Sequence, residues 1–76
     1  MKTLAEMSQS EMVLYHIEKF GSITDRDAVY KYGIMRLGSV VHSLRKKGFN
    51  IITTMQRGKN RFKKVVPYAV YTLEEN

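Results

Sequence analysis

The sequence predicts an α+β fold in which three short helices are followed by a two-stranded antiparallel β-hairpin. Apolar residues recur at helical spacing in three segments, a glycine follows each of them, and two later segments are rich in β-branched and aromatic residues. A chain of 76 residues suffices for one small core. We therefore expect a single domain over residues 1–76, with its core in about 8–73 and frayed ends at 1–6 and 74–76.

The first predicted helix covers about residues 9–20. Ser8 and Glu11 have the spacing of a capping box, in which each side chain accepts a hydrogen bond from the other residue's amide. Gly21 then offers a left-handed stop. We place His16 on the outer face of this helix. The residues expected to face inward are Val13, Leu14, Ile17 and Phe20.

The second predicted helix begins after Thr24, which is a favourable N-cap residue, and ends at Gly33. Asp25 and Asp27 fall in its first turn, where the helix dipole favours negative charge. Stabilisation of the helix start is therefore sufficient reason for both carboxylates, and no catalytic role is needed. The residues expected to face inward are Ala28, Val29 and Tyr32.

The third predicted helix follows after one residue of loop and runs from Met35 to Lys47. Gly48 and Phe49 have the pattern of a Schellman motif, in which a left-handed glycine is followed by an apolar contact onto Leu44. This pattern predicts a well-defined helix end. The apolar stripe consists of Leu37, Val40, Val41 and Leu44.

Residues 49–55 and 66–73 are the predicted strands, because they are rich in aromatic and β-branched side chains. Residues 56–65 hold a glycine and five basic side chains, which predicts a long, flexible hairpin loop. Pro67 cannot donate to a strand ladder, so we expect it at a strand entrance or on an edge. The strand face expected to close over the helices carries Ala69, Tyr71 and Leu73.

Three helices, a tight glycine turn between the second and third, and a hairpin form the layout of a winged helix-turn-helix domain. The residues also resemble a known family. The runs SITDRDAVYKYGIMRLGSVVHSLRKKGFNI, RGKNRF and VPYAVYTL are similar to a small helix-turn-helix family of phage and prophage genomes, whose members pair a GI-x-R-L recognition helix with an L-R-K-x-G-Y/F-x-I exit. The resemblance covers about residues 8–73. It implies DNA binding with the third helix in the major groove.

Charge is divided unevenly along the chain, whose formal net charge is +6. Residues 1–27 hold three basic and five acidic side chains, whereas residues 28–73 hold ten basic and no acidic side chain. Such one-sided charge indicates a polyanionic partner, most often nucleic acid. We expect double-stranded DNA, bound by a monomer or by a weak, DNA-dependent dimer, because no long extra helix is available for a dimer interface.

The polar face of the third helix suits base recognition. If Leu37 and Leu44 face inward, the helical period places donors and acceptors on the opposite side. An arginine can bind guanine O6 and N7 with two donors, and serine or histidine can bond several base edges. Arg36 is the leading candidate because it lies near the helix start. The predicted base contacts are Arg36, Ser39, His42 and Ser43, with Lys46 on the same face.

Basic side chains at the helix exit and in the hairpin loop suit the phosphate backbone or a minor groove. At the helix exit, complementing the helix dipole is an equal alternative. In the loop, the alternative is that the charges only keep the protein soluble. The predicted backbone and wing contacts are Arg45, Lys46, Lys47, Arg57, Lys59, Asn60, Arg61, Lys63 and Lys64.

We expect no catalytic, metal or cofactor site. The chain has no cysteine, and His16 has no second histidine close to it in sequence. The cluster of Ser39, His42 and Ser43 lacks an orienting acid and a water-excluding cleft. With no apolar run of about 18 residues and no signal-peptide pattern, we expect a cytoplasmic protein in a bacterial cytosol, associated with the nucleoid when bound to DNA.

These observations predict a sequence-specific DNA-binding protein that acts as a phage or prophage transcriptional regulator. Three alternatives stay open. The same surface suits an architectural or excisionase-like protein that bends DNA. The scaffold also suits a protein-interaction module that binds, and inhibits, a host enzyme or nucleoprotein complex. The basic patch is compatible with RNA or single-stranded DNA as well.

Overall fold

The computed structural model describes residues 6–74, so the expectation of frayed ends at 1–6 and 74–76 lies mostly outside the described residues. At Glu74 it is wrong, because the Glu74 amide donates to the Asn50 carbonyl at 2.9 Å. The described chain forms three helices and a three-stranded antiparallel sheet, which confirms the α+β class. The helices are α1 (Gln9–Phe20), α2 (Asp25–Tyr32) and α3 (Leu37–Lys46), and the strands are β1 (Ile23–Thr24), β2 (Ile51–Lys59) and β3 (Val65–Leu73). The strand order is β1-β3-β2.

Capping fixes the starts of α1 and α2 where the sequence predicts them. Ser8 Oγ accepts from the Glu11 amide, and Glu11 Oε1 accepts from the Ser8 amide, both at 3.2 Å. Thr24 and Asp27 form a second capping box with the same two distances. Each box satisfies two amides that would otherwise lack partners at a helix start.

The connection from α2 to α3 is longer than predicted, and α3 begins at Leu37 rather than Met35. Gly33 is left-handed, with φ 67°, and the Ile34 amide donates to the carbonyl of Ala28 at 3.0 Å. This path buries the Ile34 side chain in the core, whereas Met35 is 78% exposed. Residues 33–36 therefore form a connection that buries Ile34 before α3 begins.

The backbone hydrogen bonds of the predicted Schellman motif at the end of α3 are confirmed. The Phe49 amide donates to the carbonyl of Leu44, and the Gly48 amide donates to that of Arg45, both at 3.1 Å. Gly48 has φ 102°, a conformation that a side chain would strain. The motif turns the chain directly from α3 into β2.

The predicted hairpin is confirmed, but its strands are longer and its loop is shorter than the sequence indicated. Residues pair from Ile51 opposite Leu73 to Lys59 opposite Val65, which leaves residues 60–64 for the turn. The sequence also missed β1, which pairs Ile23 with Tyr71 and so makes the sheet three-stranded. A two-residue strand is too short to show an alternating pattern.

Pro67 lies opposite Arg57 in β3. The bonds from the Glu74 amide to Asn50 and from the Asn60 amide to Lys64 fix which pairs exchange hydrogen bonds. By the alternation of an antiparallel ladder, Pro67 falls in a non-hydrogen-bonded pair, so its nitrogen points away from β2. Because β1 pairs only with residues 70–71, this part of β3 is an open edge, which confirms the edge placement.

The core lies between the three helices and the base of the hairpin. Tyr71 and Leu73 of β3 pack against it as partly buried side chains, as expected. Two residues that were expected to face inward do not. Phe20 is 53% exposed in the last turn of α1, and Val29 is exposed while its neighbour Ala28 is fully buried. The buried apolar residues are Val13, Ile17, Ile23, Ala28, Ile34, Leu37, Val40, Val41, Leu44 and Ile51.

The prediction for His16 is also wrong, since this residue is buried rather than on the outer face of α1, with only 2% of its surface exposed. Its Nδ1 atom lies 2.8 Å from the Tyr32 hydroxyl, and its Nε2 atom lies 3.8 Å from the Asp27 carboxylate. Burial lowers the pKa of His16, the Asp27 carboxylate raises it in part, and Lys31 lowers it further. His16 therefore joins α1 to α2 as a core polar residue.

Candidate nucleic-acid interface

The outer face of α3 carries the side chains that the sequence assigned to base contacts. Leu37, Val40, Val41 and Leu44 are buried on one side of the helix, so the predicted helical phase is confirmed. The opposite side is solvent-exposed and carries Ser39, His42, Ser43 and Lys46. This face is polar, donor-rich and free of acidic side chains, which is the chemistry that reads base edges.

Arg36 lies at the N-cap position of α3 and is exposed. Unlike the N-cap residues of α1 and α2, it makes no side-chain capping bond. Its backbone carbonyl accepts from the amides of Ser39 and Val40, at 3.1 and 3.3 Å, so its backbone starts the helix. A guanidinium has no acceptor for the helix amides, so the Arg36 side chain cannot cap α3 and lies exposed at its N-terminal end.

The basic residues at the end of α3 have separate roles. Arg45 was predicted to contact the DNA backbone or to complement the helix dipole, but its guanidinium donates to β2. The Ile51 carbonyl accepts from Nε at 3.0 Å and from Nη2 at 2.7 Å, and Thr53 Oγ1 accepts from Nη2 at 2.8 Å. Lys46 and Lys47 are exposed beside it. Arg45 therefore links α3 to the hairpin, although it is exposed like the two lysines.

The hairpin places basic side chains along β2 and around its turn. Arg57 and Lys59 lie within β2, where the sequence predicted a loop, and Arg61, Lys63 and Lys64 follow in the turn. All five are exposed. The hairpin is therefore a charged arm with paired strands, and we call residues 51–73 the wing.

Asn60 organises the turn of the wing. Its Oδ1 atom accepts from the amides of Phe62 and Lys64, at 2.9 and 3.1 Å. Its carbonyl accepts from the Lys63 amide, and its own amide donates to the Lys64 carbonyl, both at 3.0 Å. Asn60 was predicted as a DNA contact, and the structure gives its side chain this internal role. The turn is therefore hydrogen-bonded, and the prediction of a long loop over residues 56–65 is wrong, since the strands pair up to Lys59 and Val65.

A family model described as a winged helix-turn-helix domain matches residues 8–76. The chain belongs to the winged helix-turn-helix family. The match covers both α3 and the wing, so the two parts of the candidate interface lie inside the family's domain. No curated protein and no solved structure matched the chain.

Membership of the winged helix-turn-helix family suggests DNA as the partner, and this family is typically non-enzymatic. The polar face of α3 and the basic wing agree with that partner. Among residues 6–74, no group of three or more His, Cys, Asp or Glu side chains is arranged to hold a metal ion. The helices in that part of the chain are too short or too polar to cross a lipid bilayer.

Sequence reasoning missed two residues that matter to this region. Arg45 reads as one of three equivalent cations in the run Arg45, Lys46 and Lys47, and only the position of β2 distinguishes it. His16 carries a detectable signal, since it lies three residues after the buried Val13 and thus on the same helical face. The prediction of an outer-face position rested on the polarity of the histidine side chain alone.

Proposed function

We propose that this winged helix-turn-helix protein binds double-stranded DNA in a sequence-specific manner and acts as a transcriptional regulator. The observation that carries the proposal is the exposed polar face of α3, set opposite four buried apolar residues in a segment without acidic side chains. In helix-turn-helix proteins the second helix of the motif enters the major groove. Here that helix is α3.

The proposed contacts divide into two classes. Ser39, His42 and Ser43 read base edges in the major groove from the exposed face of α3, and Arg36 does so from the N-cap position. The basic side chains of the wing, together with Lys46 and Lys47, contact phosphates and supply most of the affinity. Arg45 positions the wing relative to α3 through its bonds to β2.

Regulation would follow from occupation of a promoter or operator. The resemblance to phage and prophage helix-turn-helix proteins supports a role in a phage or prophage genome. We further propose action in the bacterial cytosol as a monomer, or as a dimer that forms on DNA. Adjacent half-sites would then be spaced by about one helical turn.

The test is fluorescence anisotropy of a labelled random-sequence duplex, titrated with the protein across a salt series. With about five phosphate contacts, log K should fall against log salt with a slope of roughly −4 to −5. Single-stranded DNA and A-form RNA serve as competitors, since α3 requires the wide major groove of B-DNA. Absence of duplex binding at low salt would refute the proposal.

A matched pair of variants separates the two classes of contact. Replacing Lys59, Arg61 and Lys64 by Gln should reduce the salt slope by about 3 and weaken binding to all duplexes alike. Arg36→Ala should instead weaken binding to a selected site more than binding to random DNA. Equal losses on both kinds of duplex in the Arg36 variant would contradict base reading.

A protein partner is the second candidate function, and exposed apolar side chains favour it. Tyr30 on α2 and Met35 in the following turn are each more than three-quarters exposed. Large exposed side chains of this type often contact other proteins. If the triple wing variant loses DNA binding but still captures a host protein that Tyr30→Ala does not capture, the interaction module becomes the better assignment.

A further inference from the structure

Phe62 occupies an unusual position at the tip of the wing, where its side chain is 74% exposed. β1 supports β3 only at residues 70–71, and from the pair Thr54 and Val70 the hairpin continues six residues to the turn. At about 3.3 Å per residue, the tip stands about 20 Å beyond the supported part of the sheet. Phe62 is thus an apolar group held far from the core.

The turn holds Phe62 in a defined position. The Phe62 amide donates to Asn60 Oδ1 at 2.9 Å, and the Lys63 amide donates to the Asn60 carbonyl at 3.0 Å. Lys63 adopts a left-handed conformation with φ 62°, as in three-residue hairpin loops that close with a left-handed residue. These bonds pre-organise the tip, so little conformational entropy remains to be lost when it binds.

The surroundings of Phe62 specify the kind of partner. Arg61 and Lys63 flank it, Lys64 ends the turn and Lys59 ends β2. Residues 28–73 contain no acidic side chain. An apolar ring surrounded by cations matches a polyanion that also offers an apolar surface. Duplex DNA has both features, since phosphates border each groove and stacked bases lie at its floor.

We propose that Phe62 is a wedge that enters the minor groove, partly unstacks one base step and bends the duplex. This inference rests on the proposed function and adds a mechanical consequence to it. Proteins that insert phenylalanine or aliphatic side chains between base steps bend DNA by about 20–90°. Phosphate contacts by the neighbouring lysines and arginines hold the bent duplex against the wing. Flexible pyrimidine–purine steps would be the preferred insertion points.

The test is ligase-mediated ring closure of a DNA fragment of about 120 bp, which is shorter than the persistence length and closes poorly unless it is bent. Wild-type protein should increase the yield of circles at least tenfold at a concentration that saturates the DNA. Phe62→Ala should remove this increase. Affinity for linear duplex should fall by about tenfold, the loss expected for one aromatic contact with a base.

Two controls separate the wedge from general effects. Tyr30→Ala removes an equally exposed aromatic ring from α2 and should leave ring closure unchanged. Phe62→Leu keeps an apolar wedge and should retain most of the bending. The salt slope of Phe62→Ala should equal that of wild type, because no phosphate contact is lost. Circular dichroism melts check that the variants fold.

The outcomes distinguish the wedge from the proposed function. Binding of wild-type protein with a steep salt slope but no ring closure would overturn the wedge and leave DNA binding intact. Equal ring closure by wild type and Phe62→Ala would also overturn it, since the bend would then arise elsewhere. Failure of wild-type protein to bind any duplex would refute the proposed function and the wedge together.

Discussion

The guanidinium of Arg45 holds the carbonyl of Ile51 with two hydrogen bonds, from Nε at 3.0 Å and from Nη2 at 2.7 Å. Ile51 is the first residue of β2 and lies in a non-hydrogen-bonded pair with Leu73, so its carbonyl points away from β3. Arg45 supplies the partner that the sheet does not. The contact therefore ties the last turn of α3 to the first residue of the wing.

Removing this contact should destabilise the protein more than removing a neighbouring charge. Arg45→Ala should lower the free energy of unfolding by about 1–2 kcal/mol, because a charged donor is lost from a backbone carbonyl. Lys46→Ala, one residue later on the exposed face, should change it by less than about 0.5 kcal/mol. Urea unfolding measures both variants. Similar losses in the two would show that the Arg45 bridge contributes nothing to stability.

Arg36 and Leu37 are adjacent but face opposite environments, which makes them a direct test of the interface. Leu37→Ala should cost about 2–5 kcal/mol, since its side chain is 1% exposed in the core. Arg36→Ala should leave the thermal midpoint nearly unchanged and reduce discrimination for a selected DNA site by about 1–3 kcal/mol. Thermal melts and anisotropy together check both. A large loss of stability in the Arg36 variant would contradict its exposed placement.

Stability should decrease as the pH falls below about 6.5 because of His16. Burial lowers the pKa of this residue in the folded protein, so the unfolded chain takes up a proton first. The contribution of His16 to the free energy of unfolding is present in full above the pKa of the unfolded chain. It is lost as the pH falls from that value to the lower folded pKa, by at most about 1.4 kcal/mol per pH unit. Urea unfolding between pH 7.5 and 5.5 measures this slope.

Two histidine variants test whether His16 causes this pH dependence of the free energy of unfolding. His16→Gln should flatten the dependence in this window, because the buried titrating group is gone. His42→Gln removes the other histidine of the chain, from the exposed face of α3, and should keep the wild-type dependence. The assignment fails if the slope survives in the His16 variant.

The turn of the wing contains a strained residue that can be relieved. Lys63 has φ 62°, a conformation that costs a side-chain-bearing residue about 1–2 kcal/mol. Lys63→Gly should raise the free energy of unfolding by about 0.5–1 kcal/mol, after allowance for the greater entropy of glycine in the unfolded chain. Lys64→Gly removes the same charge where φ is not positive and should lower it. Thermal denaturation ranks the two variants.

The sequence by itself determined the local elements of this protein. The capping box of Ser8 and Glu11, the N-cap Thr24 and the glycine ends are interactions within one or two helical turns, so spacing alone reveals them. The apolar stripe of α3 likewise predicted its exposed face. The fold class followed from these elements, whereas the family was implied by the resemblance of the motif runs.

Tertiary structure decided the features that depend on residues distant in sequence. β1 exists because Ile23 meets Tyr71 of β3, and His16 is buried because α2 brings the Tyr32 hydroxyl to its ring. Arg45 bonds β2 and Lys46 does not, because β2 passes beside Arg45 alone of these two exposed cations. Local spacing carries no information about these approaches, since each is set by how the helices and the hairpin pack around a shared core.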